Sequence, residues 1–261
     1  MLNPTHKKYD STKDKNFDDL ADRFNKNVYE TLKGKIRLAV LERDLEPYLK
    51  QPLSIIDAGG GQGTFSLLLA KKHKITLCDI SSEMLNLARQ NASQNEELNI
   101  SFINCSIQEL QNNIDSESDM ILCHAVLEWM ANPQQALSYL RECLKPNGLL
   151  SLSFFNVNSI IYKNLLKGNY RKATSDDFAG FQGSLTPINP LHSQDVFAWL
   201  EDLGLKTLTH SGIRVFNDYI ADKKTRNKHP EAVIETELKF SQIEPFRSMG
   251  RYIHIVAQKS S

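Results

Sequence analysis

Residues 53–64, with the sequence LSIIDAGGGQGT, constrain the fold more than any other segment of the chain. Apolar, β-branched residues lead to Asp57, glycines follow at positions 59, 60, 61 and 63, and a helix-like apolar run begins after Thr64. This order is typical of a buried strand that turns directly into a helix. Glycine lets a ligand approach the backbone closely, and the first N–H groups of a helix are unpaired donors. The segment therefore predicts a cofactor lying across the turn.

The glycine spacing narrows the kind of cofactor. A dinucleotide fingerprint, G-x-G-x-x-G, fails at Thr64 if it begins at residue 59 and at Gln62 if it begins at residue 60. A phosphate-binding P-loop needs a lysine where Gly63 stands. The remaining pattern, D-x-G-x-G-x-G over residues 57–63, resembles the first motif of the class I S-adenosylmethionine-dependent methyltransferases. A glycine-rich turn with a purely structural role is the alternative interpretation.

Composition limits the class of protein. The chain has 261 residues, 41% of them hydrophobic, which suits one large domain with a sizeable core. Basic and acidic residues number 31 each, so net charge does not point to a nucleic-acid partner. None of the four cysteines forms a C-x-x-C pair, and no secretory leader or membrane-length apolar span is evident. We therefore expect a reduced, cytoplasmic protein that binds neither a membrane nor a metal.

Strand-like and helix-like segments alternate from residue 53 onward. The pattern predicts an α/β fold with a seven-stranded, mostly parallel, Rossmann-like methyltransferase sheet, helices on both faces and an antiparallel hairpin at one end. The predicted strands are residues 53–57, 74–80, 100–105, 120–126, 149–155, 205–217 and 251–258. We expect residues 1–15 to form a flexible tail and residues 16–261 one domain, with a helical arm at 16–50 and an insertion at 156–193 after the fifth strand.

Three polar residues are placed to contact a cofactor at the carboxyl edge of such a sheet. Asp79 ends the second strand, where an acid can accept both ribose hydroxyls of a nucleoside; capping of the next helix is the alternative. His124 ends the fourth strand, where we expect contact with the methionine part of the cofactor or with the acceptor, and no general-base role. Arg37 could pair with the methionine carboxylate or lie on a solvated helix face.

Segments far apart in the chain carry a more specific resemblance. NFDDLADRF (16–24), IDAGGGQG (56–63), HAVLEWMANP (124–133) and GRYIHIVAQK (250–259), together with GIRVFNDY (212–219), resemble the bacterial tRNA 5-carboxymethoxyuridine methyltransferases. The similarity runs from about residue 16 to 259. It implies transfer of a methyl group from S-adenosyl-L-methionine to the carboxylate of 5-carboxymethoxyuridine at the tRNA wobble position, which forms the methyl ester. It also implies that the turn at Ile107 and Gln108 flanks the adenine ring; a simple helix start at this turn is the alternative interpretation.

The resemblance and the motif together predict one cofactor site. The residues expected to bind S-adenosyl-L-methionine are Arg37, Asp57, Gly59, Gly60, Gly61, Asp79, Ile107, Gln108 and His124. The acceptor carboxylate is ionised at neutral pH, so the reaction needs positioning and exclusion of water and no general base. Arg214, Arg251 and Tyr252 are the candidates for positioning it.

A tRNA substrate also requires phosphate contacts. Two basic runs outside the predicted core strands are candidates for binding the anticodon loop, although either run could be an ordinary solvated face. They consist of Lys163, Lys167, Arg171 and Lys172, and of Lys223, Lys224, Arg226 and Lys228. We expect a monomer.

Two other functions remain open at this point. The chain could methylate a small-molecule carboxylic acid or another metabolite, because this fold serves many acceptors. It could also be a non-catalytic cofactor-binding protein whose task is to bind RNA.

Overall fold

A seven-stranded sheet organises the residues that the computed structural model describes, which are 9–18, 31–94, 97–181 and 186–261. Its strands are β1 (Ser54–Ala58), β2 (Lys74–Asp79), β3 (Ile100–Asn104), β4 (Ser118–His124), β5 (Leu144–Phe155), β6 (Leu205–Ile213) and β7 (Tyr252–Lys259). Their order is β3-β2-β1-β4-β5-β7-β6. β7 runs antiparallel to β5 and β6, and the other neighbouring strands pair in parallel. The predicted fold class is confirmed.

Helices cover both faces of this sheet. In the described part of the chain they are α1 (Leu32–Leu45), α2 (Thr64–Leu69), α3 (Ser82–Ala92), α4 (Leu110–Asn113), α5 (Pro133–Glu142), α6 (Val157–Leu166), α7 (Tyr170–Ala173), α8 (Ser193–Asp202), α9 (Lys223–Arg226) and α10 (Pro230–Phe240). Successive side chains of a strand point to opposite faces. Accordingly, Ile55 packs in a core with α1 and α2, whereas Ile56 packs in another with α5 and α8.

The predicted insertion at residues 156–193 is more regular than its composition indicates. It contains α6 and α7, and residues 182–185 lie outside the described part. Val157 and Ile160 of α6 pack with Phe155 and Phe178 in a small separate core. The apolar residues of α6 were hidden from composition because Asn, Gly and Ser surround them in the sequence.

The sixth strand is shorter than predicted, since β6 ends at Ile213 and not at residue 217. Arg214 adopts the left-handed backbone conformation, with φ of 59°, which ends the ladder. The next three N–H groups then bond to a side chain: the Glu237 carboxylate accepts those of Val215 (2.7 Å), Phe216 (3.3 Å) and Asn217 (2.8 Å). A helix 20 residues further along therefore shapes this loop.

The amino-terminal part crosses the loops that follow β3 and β4. Asp14 accepts hydrogen bonds from Gln108 Nε2 (2.8 Å) and from the N–H of Ala131 (2.8 Å). The Phe17 ring meets Trp129 edge-on, with centroids 4.9 Å apart. Residues 1–8, and the stretch 19–30 of the predicted helical arm, lie outside the described residues. Within the arm, α1 is the described α-helix, and its N-cap Thr31 accepts the N–H of Gly34.

Glu237→Ala should lower the free energy of unfolding by about 3 kcal/mol, because three backbone donors would lose a buried carboxylate partner. Chemical denaturation measures this change. Glu235→Ala, at an exposed position of the same helix, is the matched control and should have little effect. Equal losses in the two variants would contradict the assigned role of Glu237.

Candidate active site

A cavity of about 380 Å³ lies at the carboxyl edge of the sheet. It opens where β1, β2 and β4 end, which is the ligand-binding edge of an open α/β sheet. Ten of the residues predicted to bind cofactor or acceptor line this cavity: Arg37, Asp57, Gly59, Gly60, Gly61, Asp79, His124, Arg214, Arg251 and Tyr252. The fold thus brings together residues separated by more than 200 positions in the sequence.

The glycine turn forms one wall of the cavity. Gly59 has φ of 74°, and a Cβ on it would lie 2.6 Å from a methyl group of Val126. Gly61 has φ of 57°, and a Cβ there would meet nothing within 4 Å. The turn is therefore open toward the cavity at this residue. A backbone without side chains, next to a helix start, fits a nucleoside ligand.

Two carboxyl groups support this turn in different ways. Asp79 Oδ2 accepts the N–H of Gly61 (2.9 Å), and its Oδ1 accepts the N–H of Ser81 (2.8 Å). Burial raises the pKa of Asp79. Asp57 accepts the Ser66 hydroxyl (2.6 Å), and burial raises its pKa to about 6. A carboxylate has about four lone-pair sites, so Asp79 can cap the backbone and still accept ribose hydroxyls.

A smaller cavity of about 90 Å³ adjoins the first and shares Gly59 and Asp79 with it. Ile107 and Gln108 line this second space, together with apolar side chains such as Met130. Its lining thus combines apolar side chains with the polar residues Gln108 and Asp79. Gln108 donates one amide hydrogen to Asp14, so its second N–H and its carbonyl oxygen remain for a contact with a base.

The opposite end of the larger cavity is cationic. Asp218 is nearly fully buried there, with Lys33 Nζ at 3.9 Å, Arg214 NH2 at 3.6 Å and Arg251 Nε at 3.7 Å from its carboxylate oxygens. Burial would raise the pKa of Asp218, but the charges of Arg214 and Lys33 hold it below its usual value. Lys163 also lines this end, and burial together with the charge of Arg251 lowers its pKa to about 8.

Aromatic rings hold these cations in place. The Arg37 guanidinium lies 4.3 Å from the centroid of the Tyr252 ring, and that of Arg214 lies 5.3 Å from the same ring. Arg251 lies 4.4 Å from the ring of Phe155. Stacking of this kind orients a guanidinium and leaves its edge donors available to a ligand.

Sequence reasoning missed Lys33, Asp218 and Trp129 as cavity residues. Asp218 belongs to the GIRVFNDY segment, and the family resemblance of that segment was the sequence feature that could have indicated its role. Glu128, which precedes Trp129 in the chain, is not among the residues that line the cavity. It is fully buried, neither carboxylate oxygen has a hydrogen-bond partner among the described residues, and burial raises its pKa to about 8.

The two basic runs divide between cavity and surface. Lys163 lines the cavity, whereas we expected it at the surface. Lys167 and Arg171 are exposed. Lys172 donates to the carbonyl of Asp177 (2.6 Å). In the second run Arg226 donates to the carbonyl of Ile220 (3.0 Å), and the lysines at 223, 224 and 228 are exposed.

The described residues contain no group of three or more His, Cys, Asp or Glu side chains that could hold a metal ion. They also contain no helix that is both long and apolar enough to cross a membrane.

The chain is similar to known methyltransferases over most of its length. A family model for a methyltransferase domain matches residues 49–190. The tRNA 5-carboxymethoxyuridine methyltransferase of Escherichia coli is 37% identical over 252 residues, covering 94% of this chain and 97% of that protein. A malonyl-[acyl-carrier protein] O-methyltransferase from Paenibacillus is 26% identical over 139 residues, covering 52% of this chain and 50% of that protein.

Solved structures share the fold. Magnesium protoporphyrin IX methyltransferase from Synechocystis, with bound SAH, superposes with a TM-score of 0.62 at 16% identity and covers 94% of this chain and 96% of that chain. A plantazolicin methyltransferase, also with SAH, gives 0.59 at 17% identity, covering 93% of this chain and 90% of that chain.

The sheet order, the open glycine turn and the family match define an S-adenosylmethionine-dependent methyltransferase, as predicted. Within that class, the chain belongs to the family of the tRNA 5-carboxymethoxyuridine methyltransferases, because the likeness to the Escherichia coli protein runs over nearly the whole of both chains.

Glu128→Gln should change how stability depends on pH. The pKa of Glu128 is raised from 4.5 to about 8 on folding, so unfolding releases its proton and wild-type stability falls as pH rises through that window. Glutamine has no titratable carboxyl group, so the variant does not lose stability with rising pH in this way. The variant should therefore gain stability over wild type by up to ~1.4 kcal/mol per pH unit within the window. Denaturant titrations at several pH values measure it, and a pH-independent difference would contradict the assignment.

Proposed function

We propose that this protein methylates the carboxylate of 5-carboxymethoxyuridine at the wobble position of tRNA and forms the methyl ester. The observation that carries the proposal is the joining, in one cavity, of the open glycine turn and a cationic end suited to an acidic acceptor. The name of the Escherichia coli relative supports the choice of acceptor. A tRNA substrate would place the enzyme in the cytoplasm.

The cofactor would occupy the end formed by the glycine turn. When bound, S-adenosylmethionine supplies an electrophilic methyl group on a sulfonium. In our assignment the open backbone of Gly59, Gly60 and Gly61 lies against the nucleoside, and Asp79 accepts its ribose hydroxyls. The space beside Ile107 and Gln108 suits the adenine ring.

The methionine part of the cofactor would lie toward the middle of the cavity. Arg37 and His124 line it there, beyond the turn. Arg37 would pair with the methionine carboxylate, for which a planar guanidinium is suited. This assignment leaves the remaining cations for the acceptor.

The acceptor end favours an anion. The buried Asp218 lies there among four cationic side chains that line the cavity: Lys33, Lys163, Arg214 and Arg251. The ion pairs of Arg214 and Arg251 with Asp218 are longer than hydrogen bonds, and neither guanidinium donates a hydrogen bond to a described residue. Their N–H groups are therefore available to hold a substrate carboxylate.

This arrangement suits methylation of a carboxylate. Positive charge keeps the acceptor ionised, so it is already a nucleophile and needs no general base. Burial of the arginines removes water, which strengthens their hold on the carboxylate oxygens. Most of the rate would then come from aligning the carboxylate oxygen with the methyl carbon. Tyr252, packed between two arginines, would fix the position of that oxygen.

An exposed surface beside this end suits the anticodon loop. Lys163 of α6 lines the cavity, and Lys167 lies at the surface just after the helix ends, followed by the 67% exposed Tyr170 and by Arg171. Cations beside exposed rings suit single-stranded RNA, which offers phosphates and unstacked bases. The exposed lysines of α9 would extend this surface on the other side of the Arg214 loop.

The assay that tests the function uses tRNA from cells that lack the activity, labelled S-adenosylmethionine and nucleoside mass spectrometry. We expect label as the methyl ester of 5-carboxymethoxyuridine. Label at another nucleoside, or none, would overturn the proposal. Turnover of free carboxylic acids without RNA would favour the small-molecule alternative, and bound cofactor without turnover would favour a non-catalytic RNA-binding protein.

Arg251→Ala should lower kcat/KM for tRNA by roughly 10- to 100-fold, since a charge-assisted hydrogen bond would be lost. Arg251→Lys should recover part of this loss, because it keeps the charge without the planar fork. Binding of S-adenosylhomocysteine, measured by calorimetry, should stay unchanged. Arg247→Ala is the control, since Arg247 pairs with Glu244 outside the cavity. Equal losses in the control would refute the assigned role.

Charge reversal at Lys167 and Arg171 should weaken tRNA binding and flatten its salt dependence by about one unit of log-log slope per lost phosphate contact. Filter binding over a range of salt concentrations measures both quantities. Lys206→Glu provides the control, because this exposed lysine lies near the start of β6, at the opposite edge of the sheet. If the affinity and slope of the double variant match those of the control, the surface is not part of the tRNA site.

A further inference from the structure

A chain of buried hydrogen bonds leads from α1 through the sheet to the cavity. Asp44 Oδ2 bonds to His254 Nδ1 (2.7 Å), His254 Nε2 to Ser151 Oγ (2.9 Å), and Ser151 Oγ to His124 Nε2 (2.8 Å). Ser151 and His254 have no solvent exposure and Asp44 has 3%, whereas His124 lines the cavity. The cofactor assignment gives no role to the first three residues.

The carboxylate end sets the direction of the first hydrogen bond. Arg43 donates to Asp44 Oδ1 through Nε (2.9 Å) and NH2 (2.6 Å). Burial would raise the pKa of Asp44, but the hydrogen bond with His254 and the charge of Arg43 lower it below its usual value. An ionised carboxylate only accepts hydrogen bonds, so His254 carries a hydrogen on Nδ1.

The charges of Asp44 and Arg43 bear on whether the His254 ring is protonated. The one negative charge of Asp44 is already matched by Arg43, so a protonated His254 would place an unbalanced positive charge on a ring that has no solvent exposure. A neutral His254 with a hydrogen on Nδ1 has a lone pair on Nε2. The Ser151 hydroxyl must donate to that lone pair, and its oxygen is left to accept from His124.

The same hydrogen bonds determine which ring nitrogen of His124 carries its hydrogen. Burial lowers the pKa of His124 well below its ordinary value, so the ring is neutral and carries one hydrogen. If Nε2 donates to Ser151, that hydrogen is on Nε2 and Nδ1 keeps a lone pair. Nδ1 has no hydrogen bond to any described residue, so this lone pair is left for a ligand in the cavity.

We propose that Asp44, His254 and Ser151 are positioning residues that hold His124 as the Nε2–H tautomer, so that Nδ1 serves as a hydrogen-bond acceptor for the cationic methionine part of the methyl donor. The ammonium of that part is a donor and needs an acceptor in a dry cavity. The opposite tautomer would present an N–H to a cation. The inference depends on the cofactor and not on the tRNA substrate, so its failure can be distinguished from failure of the proposed acceptor.

The tautomer can be measured without turnover. Long-range ¹H–¹⁵N correlation spectra of the full-length protein distinguish a protonated from an unprotonated ring nitrogen, and His124→Gln assigns the signals. In the wild type we expect His124 to have hydrogen on Nε2 and none on Nδ1. Hydrogen on Nδ1 in the wild type would overturn the proposal.

Ser151→Ala tests the chain itself, because it removes one hydroxyl in the middle. We expect a mixture of His124 tautomers and a roughly two- to tenfold weaker binding of S-adenosylhomocysteine by calorimetry. Ser151→Thr, which keeps the hydroxyl, should restore the single tautomer. An unchanged tautomer in Ser151→Ala would overturn the proposal.

Ser153→Ala is a closely matched control. Ser153 lies two residues along the same strand, is also fully buried and pairs with His124 in the ladder, but its hydroxyl has no partner among the described residues. This variant should leave the His124 tautomer and cofactor affinity unchanged. If Ser153→Ala shifts the tautomer as much as Ser151→Ala does, the effect comes from packing, and the assigned role of Ser151 is wrong.

Discussion

The hydrogen bond from the N–H of Gly61 to Asp79 Oδ2, 2.9 Å long, ties the glycine turn after β1 to the end of β2. The turn exists because β1 and β2 pair in parallel and end at the same edge of the sheet. Its glycines leave this edge without side chains, and Asp79 closes it with a carboxylate. The cavity, the cofactor site that we assign to it and the position of His124 on the neighbouring strand all depend on this junction.

The acceptor end is built differently, since its geometry depends on a loop rather than on the sheet. Arg214 leaves the ladder in a left-handed conformation, and Glu237 then holds the following backbone. This path brings Asp218 beneath Arg214 and Arg251, where it partly balances their charge without using their hydrogen-bond donors. A shared core and separate loops explain how one fold can keep its methyl donor and change its acceptor.

Local patterns in the sequence were sufficient to predict the sheet and several residues that line the cavity at its carboxyl edge. The glycine turn, Asp79 and His124 directly follow recognisable strands, and parallel pairing brings strand ends together. The end of the cavity that we assign to the acceptor was harder to predict, because it depends on contacts between residues that are distant in the sequence. Nothing near Lys33 or Lys163 indicates that they face Asp218, and nothing near Gln108 indicates its bond to Asp14. Strand β6 was predicted too long because Glu237, which ends it, is remote in sequence.

The most direct test of the central claim is a crystal structure with S-adenosylhomocysteine and an anticodon stem-loop that carries 5-carboxymethoxyuridine. We expect the nucleoside across the Gly59–Gly61 turn, with its ribose at Asp79. We also expect the substrate carboxylate within ~3 Å of donors from Arg214 or Arg251, on the side where the sulfur lies. A carboxylate bound away from these arginines, or directed to solvent, would contradict the claim that this cavity selects its acceptor by charge.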